Sequence, residues 1–181
     1  MCRQDGNSHS HSHSHSHTRT ERGGEHGESY NCLESVQQGM ASPVGISEPD
    51  ALREILKSET IAVVGCSRTP GKAANGVPAY LLEQGYDVIP VNPFADEIFG
   101  REAFESLADV AEQSDVDIVC VFRPSEEVAD VVESVLEHEV GEVIWLQQGI
   151  RDDQAAERAM DAGYRVVQDR CLKVDHRRLA T

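Results

Sequence analysis

Between Ile61 and Gly76 the chain reads IAVVGCSRTPGKAANG, an apolar run that breaks at Gly65 into a loop carrying Ser67, Arg68 and Lys72. Those residue types in that order suit the holding of an anion. Gly65 permits a tight turn, Ser67 offers a hydroxyl, and the loop backbone and the amino end of a following helix present N–H groups with partial positive charge. Arg68 and Lys72 add full charges where the chain has few: it carries 32 Asp and Glu against 16 Lys and Arg, a formal charge of -16. Lysine occurs only at Lys57, Lys72 and Lys173. Two cations so placed are either the complement of a polyanionic ligand or two solvated surface residues.

The loop departs from two familiar phosphate motifs. A dinucleotide fingerprint needs G-x-G-x-x-G, and here the spacing gives Gly65, Ser67 and Pro70; the acid that should follow the second strand to hold ribose is replaced by Asn92. The P-loop consensus also fails, since no Gly-Lys-Ser or Gly-Lys-Thr closes the loop.

The elements that must position this loop are strands and helices in alternation. TIAVVG (60 to 65), DVIPV (87 to 91), DIVCVF (117 to 122), EVIWL (142 to 146) and YRVVQ (164 to 168) are short, nearly continuous apolar runs, as strands covered on both faces require. Between them, Tyr80, Leu81 and Gln84 close a helix at Gly85; Val128, Val131, Val132, Val135 and Leu136 follow a cap at Ser125; Ala155, Ala156, Ala159 and Met160 end at Gly163. A further helix is expected after a cap at Ser47, with Leu52, Ile55 and Leu56 on one face. The pattern predicts an α/β fold of one domain, a doubly wound parallel sheet of order 3-2-1-4-5-6 that includes a short edge strand near Ala103.

Ligands of such sheets lie outside the carboxyl ends of the strands. There the sequence places Gly65, Ser67, Arg68 and Lys72, then Asn92 and Pro93, then Phe122, Arg123 and Pro124, then Gln147, Gln148 and Gly149, and last Arg170 and Cys171. Asn-Pro, Arg-Pro and Gln-Gly are ordinary turn formers. Five polar tips on one rim predict a single crevice, cationic in an otherwise acidic molecule.

Residues 1 to 46 are rich in Ser, His, Gly and Glu and lack periodicity, which predicts a disordered segment ahead of a domain at 47–181. Its alternating His9, His11, His13, His15 and His17 either chelate a soft divalent metal or form a low-complexity tract. Met40 is an alternative initiator, with the upstream residues a mis-called start. Five widely spaced cysteines without a CxxC pair, no signal-peptide core and no apolar run near the roughly 20 residues of a membrane span predict a cytoplasmic protein. The acidity excludes nucleic acid and anionic membranes as partners.

Taken together, VVGCSRTPGKAANGVPAYLLEQGYDVIPVNP, CVFRPSEEV, IWLQQGI and QDRCLKVDHRRL resemble the small CoA-binding protein family, stand-alone domains similar to the amino-terminal domain of succinyl-CoA synthetase alpha subunits. The resemblance runs from about Thr60 to Leu179. It implies a Rossmann-like fold holding coenzyme A or an acyl-CoA. By position, Gly65, Ser67, Arg68 and Lys72 would meet phosphates, Asn92 and Pro93 would border the nucleotide, Phe122, Arg123 and Pro124 would line the crevice, and Gln147, Gln148 and Gly149 would face the pantetheine arm. The first loop departs from the family at Cys66, Thr69 and Gly71.

Cys171 lies between Arg170 and Lys173, and is either a thiolate able to form a mixed disulfide with CoA or a structural thiol in the crevice wall. His138 and His176 have no evident catalytic partner, and no metal set or nucleophile motif is evident.

The leading expectation is a CoA or acyl-CoA binding module without catalysis of its own, alone or as a homo-oligomer. One alternative is a CoA-binding subunit that joins an ATP-grasp partner to form acyl-CoA; another is an NAD- or nucleotide-sensing module. The spread-out acidity and scarce lysine suggest a halophilic-type surface. Its melting temperature should therefore rise as KCl is increased, and a flat or falling response would remove that reading.

Overall fold

The computed structural model describes residues 44–180. The histidine tract, the alternative start at Met40 and most of the segment expected to be disordered lie outside the described residues. Thirteen elements follow in order: α1 (Pro49–Ile55), β1 (Thr60–Val64), α2 (Ala73–Glu83), β2 (Asp87–Val91), β3 (Glu97–Ile98), β4 (Arg101–Glu102), α3 (Leu107–Gln113), β5 (Ile118–Val121), α4 (Ser125–His138), β6 (Val143–Leu146), α5 (Asp153–Asp161), β7 (Arg165–Val167) and α6 (Leu172–Leu179). Among the described residues no helix is long and apolar enough to cross a membrane.

Five strands form one parallel sheet in the order β2-β1-β5-β6-β7. Successive residues of a strand point to opposite faces, and both faces here are covered. On one side Ile61, Val63, Ile118, Cys120, Val143 and Trp145 pack with Leu52 and Ile55 of α1, Val77 and Leu81 of α2 and Leu172 of α6. On the other, Ala62, Val119, Val121, Ile144 and Leu146 pack with Leu107 and Val110 of α3, Val128, Val132 and Val135 of α4, and the alanines of α5. The apolar strands therefore read as runs and the helices as stripes.

The expected order 3-2-1-4-5-6 needs correction at its edge. Among the described residues no sixth strand stands next to β2, where the structure has one parallel bridge, Val91 to Phe104. Phe99 and Gly100 both have positive φ, 58° and 70°, as a two-residue hairpin turn requires, and fold Arg101–Glu102 back onto Glu97–Ile98. The backbone groups a third parallel strand needs are used within this hairpin. Phe104 pairs with β2 through its backbone: its N–H donates to the Pro90 carbonyl at 2.9 Å and its carbonyl accepts from Asn92 N–H at 2.9 Å. Pro90 suits such an edge, where a missing donor does little harm.

At the opposite edge, Ile46 N–H donates to the Val166 carbonyl of β7 at 2.7 Å, and the Gln168 amide donates to the Val44 carbonyl at 2.8 Å. Residues 44–46, within the stretch expected to be disordered, thus lie along β7. Two helix starts also differ from expectation by one residue. Glu48 rather than Ser47 is the cap of α1, and Pro124 rather than Ser125 that of α4. The Ser125 hydroxyl instead accepts from Arg151 N–H at 3.1 Å, tying α4 to the loop after β6.

β1 ends at Gly65, whose φ is +81° and whose N–H donates to the Val91 carbonyl at 3.0 Å. A Cβ there would lie 3.0 Å from Arg123 Cδ and 3.4 Å from the Phe122 carbonyl oxygen. α6 packs back on α2 through His176, whose Nδ1 is hydrogen-bonded to the Tyr80 hydroxyl at 2.9 Å and whose ring meets Tyr80 and Tyr86 edge-on.

Two outcomes are expected. Gly65→Ala should lower the unfolding free energy by about 1–3 kcal/mol, read from the urea midpoint, because it combines a left-handed φ with a crowded Cβ. Burial lowers the pKa of His176 below its ordinary 6.5. The unfolded chain therefore binds that proton first, so stability contributed by neutral His176 is present above about pH 6.5 and declines as pH falls through the window beneath it. Denaturation of the native protein and of His176→Phe at pH 7.5 and 5.5 should show the larger pH loss in the native protein.

Candidate functional site

The first loop leaves β1 at Gly65 and enters α2. Pro78, in the interior of that helix, has no N–H to give the Ala74 carbonyl four residues earlier. That carbonyl accepts instead from Ser67 N–H at 2.9 Å, so the proline's gap in the helix anchors the loop. The Asn75 side chain adds a bond to the Ser67 carbonyl at 2.8 Å. The Ser67 hydroxyl accepts from Thr69 N–H at 3.1 Å, which leaves its proton available to a ligand.

Lys72 is the N-cap of α2 and makes no side-chain capping bond. Among the described helices, α2 alone has no acid in its first turn; the others carry Asp50, Asp109, Glu126 with Glu127, Asp153 and Asp175 there. Arg68 and Lys72 are exposed, and among the described residues neither is in an ion pair. Arg53, Arg101, Arg123, Arg151 and Arg170 each reach a carboxylate. The amino end of α2 therefore keeps an uncompensated positive character in an acidic molecule.

Beside Gly65 opens a groove of about 340 Å³ at the carboxyl ends of β1, β2 and β5, roofed by residues of α3 and α4. This is the place where the chain order reverses across β1, the usual crevice of a doubly wound sheet. Val64, Val91, Leu107 and Val131 give it apolar walls, and Gly65, Asn92, Pro93 and Arg123 are the expected site residues that line it. Asn92 is committed to the protein: its amide donates to the Cys66 carbonyl at 2.8 Å and its oxygen accepts from Phe94 N–H at 2.8 Å. Arg123 is likewise committed, with Nε 2.5 Å from Glu127 Oε2.

The five strand tips do not form one cationic crevice. Phe122 is half-buried against the α1/α2/α6 layer, and Pro124 is exposed as the cap of α4. Gln147 is 3% exposed and turned into the core, donating to Cys120 Sγ at 3.0 Å and accepting from Leu172 N–H at 3.4 Å. Gln148 and Cys171 line a separate hollow of about 260 Å³ with Asp169, Arg170, Val174 and Asp175. Gly149 N–H donates to the Asp169 carboxylate at 2.7 Å, closing the loop after β6 on the loop after β7.

The cations beside Cys171 act elsewhere. Arg170 grips Asp175 through two bonds of 2.6 and 2.8 Å, and Lys173 Nζ lies 5.2 Å from the centre of the Tyr80 ring. Burial pushes the Cys66 thiol up to about 12 and raises that of Cys120 as well, so both remain protonated near neutrality. Among the described residues no cluster of His, Cys, Asp and Glu is arranged to hold a metal.

The groove also contains residues that sequence reading passed over. Phe94 is 87% exposed at its mouth, and Glu105, Asp130 and Ser134 line it. An exposed aromatic directly after a strand-tip Asn-Pro was one available signal. The polar pair Asp130 and Ser134, four apart on α4 and flanking Val131, was another.

The chain matches the model of the CoA binding domain family over residues 59–177. It is 40% identical over 126 residues to the Bacillus subtilis protein YneT, a match covering 69% of this chain and 91% of that one. A solved structure from Thermus thermophilus is 43% identical with a TM-score of 0.69, covering 74% of this chain and 99% of that one. An ADP-forming acetate–CoA ligase of Methanocaldococcus jannaschii is 32% identical over 82 residues, which are 45% of this chain and 11% of the ligase. With its doubly wound sheet and its match over most of the described residues, the chain belongs to the CoA binding domain family.

Proposed function

We propose that the chain binds coenzyme A or an acyl-CoA at the ends of β1, β2 and β5, with no catalysis of its own. The observation that carries this reading is the amino end of α2. It has free N–H groups, no acid in its first turn, and two cations without carboxylate partners among the described residues. A diphosphate is an anion of the size and charge such a terminus accepts, with Ser67 and the loop backbone as further donors. The adjoining groove fits the nucleoside end: its apolar walls take a planar base, and Phe94 and Pro93 offer faces for stacking at its mouth. Gln148, Gly149 and Cys171 stand on the neighbouring tips, along which a pantetheine arm can extend.

The likeness to the acetate–CoA ligase supports a second reading, a CoA-binding subunit that works with a separate ATP-grasp partner. Co-purification of such a partner and CoA-dependent nucleotide turnover would favour it. A third reading, nucleotide or NAD sensing, predicts that NADH binds more tightly than CoA.

Calorimetry in high salt with CoA, acetyl-CoA and NADH tests the proposal. CoA should bind, and Arg68→Glu or Lys72→Glu should weaken it by roughly tenfold or more, the worth of one charge-assisted hydrogen bond. Equal affinity in both variants and the native protein would reject their role as phosphate ligands.

A further inference from the structure

If the groove takes the nucleoside end of a CoA-type ligand, its charges state which nucleoside. Among the described residues the one cation in its lining is Arg123, and Glu127 neutralises it at 2.5 Å. Glu105 and Asp130, both exposed to solvent, also line the groove, and among the described residues neither carboxylate is neutralised by a hydrogen bond or ion pair to the protein. Past Glu105 the surface falls into an adjoining hollow of about 330 Å³, whose charged lining among the described residues is Asp96, Glu102, Glu105 and Asp109, with no lysine or arginine. The charge on the β2 side of the groove is thus negative.

The position of Glu105 is fixed by the sheet. Phe104, the preceding residue, is held to β2 through both of its backbone groups, by Pro90 and by Asn92. Glu105 therefore stands beside the tip of β2, next to the position, here Asn92, from which doubly wound sheets present an acid to a ribose diol. Asn92 occupies the strand tip but its side chain is already used by Cys66 and Phe94.

A carboxylate is an acceptor only, suited to the two hydroxyls of a free ribose and opposed to a phosphate monoester of nearly two negative charges. We propose that Glu105 is a specificity-determining residue that accepts the ribose hydroxyls and disfavours a 3′-phosphate, so that within the CoA class this chain prefers dephospho-CoA to CoA. Asp130, facing the same space from α4, adds to the repulsion.

The test is calorimetry on the full chain with CoA and dephospho-CoA, in low and in high KCl. Dephospho-CoA should bind roughly tenfold more tightly at low salt, and the ratio should shrink as salt screens the repulsion. Glu105→Gln should raise the affinity for CoA and lower that for dephospho-CoA, narrowing the gap from both sides. CoA binding as tightly as dephospho-CoA, or more tightly, would overturn the inference while leaving the proposed function standing. An unchanged ratio in Glu105→Gln would likewise overturn the role given to that residue. Failure of both ligands to bind at millimolar concentration would remove the proposed function, and this inference with it.

Discussion

The turn by which the chain leaves the paired tips of β1, β2 and β5 depends on position 65 carrying no side chain. Gly65 turns the chain through a left-handed φ, donates to Val91 at the end of β2, and leaves room for the Arg123 stem and the Phe122 carbonyl at the end of β5. A side chain there would press on the Arg123 stem and strain the turn at once. The groove, the direction of the first loop and the placing of α2 all descend from this contact. The rest of the architecture holds it still: strands buried on both faces, with α1, α2 and α6 on one side and α3, α4 and α5 on the other.

A second arrangement prepares the loop beyond Gly65. The missing N–H of Pro78 leaves a carbonyl free inside α2, and Ser67 takes it. Asn75 and Asn92 bind the carbonyls of Ser67 and Cys66, so successive loop carbonyls face the protein. The loop is thereby fastened both to the helix it enters and to the tip of β2.

Much of this was legible in the sequence, and the exceptions have physical causes. A strand buried on both faces writes itself as an apolar run, and all five strands of the parallel sheet were read within a residue or two of their ends. The sixth strand was not there to be read, because Phe99 adopts a positive φ that side chains seldom take and thereby completes a hairpin. Gln147 looked like a rim residue because a polar residue at a strand tip has the same spelling whether it faces solvent or core. Its inward turn depends on Cys120 and on the Leu172 N–H, 25 residues further along the chain. Glu105 and Phe94 sit in segments without periodicity, where no pattern tells which side chains share a cavity.

The covering of both margins of the sheet bears on how copies of this protein can meet. Ile46 occupies the outer side of β7, while Phe104 and the Arg101 side chain occupy that of β2, where Arg101 also reaches the Val88 carbonyl at 3.3 Å. A strand added by a second molecule at either margin would have to displace these contacts first. Self-association by main-chain pairing is thus placed in competition with the chain's own segments, a competition that the helical faces do not impose.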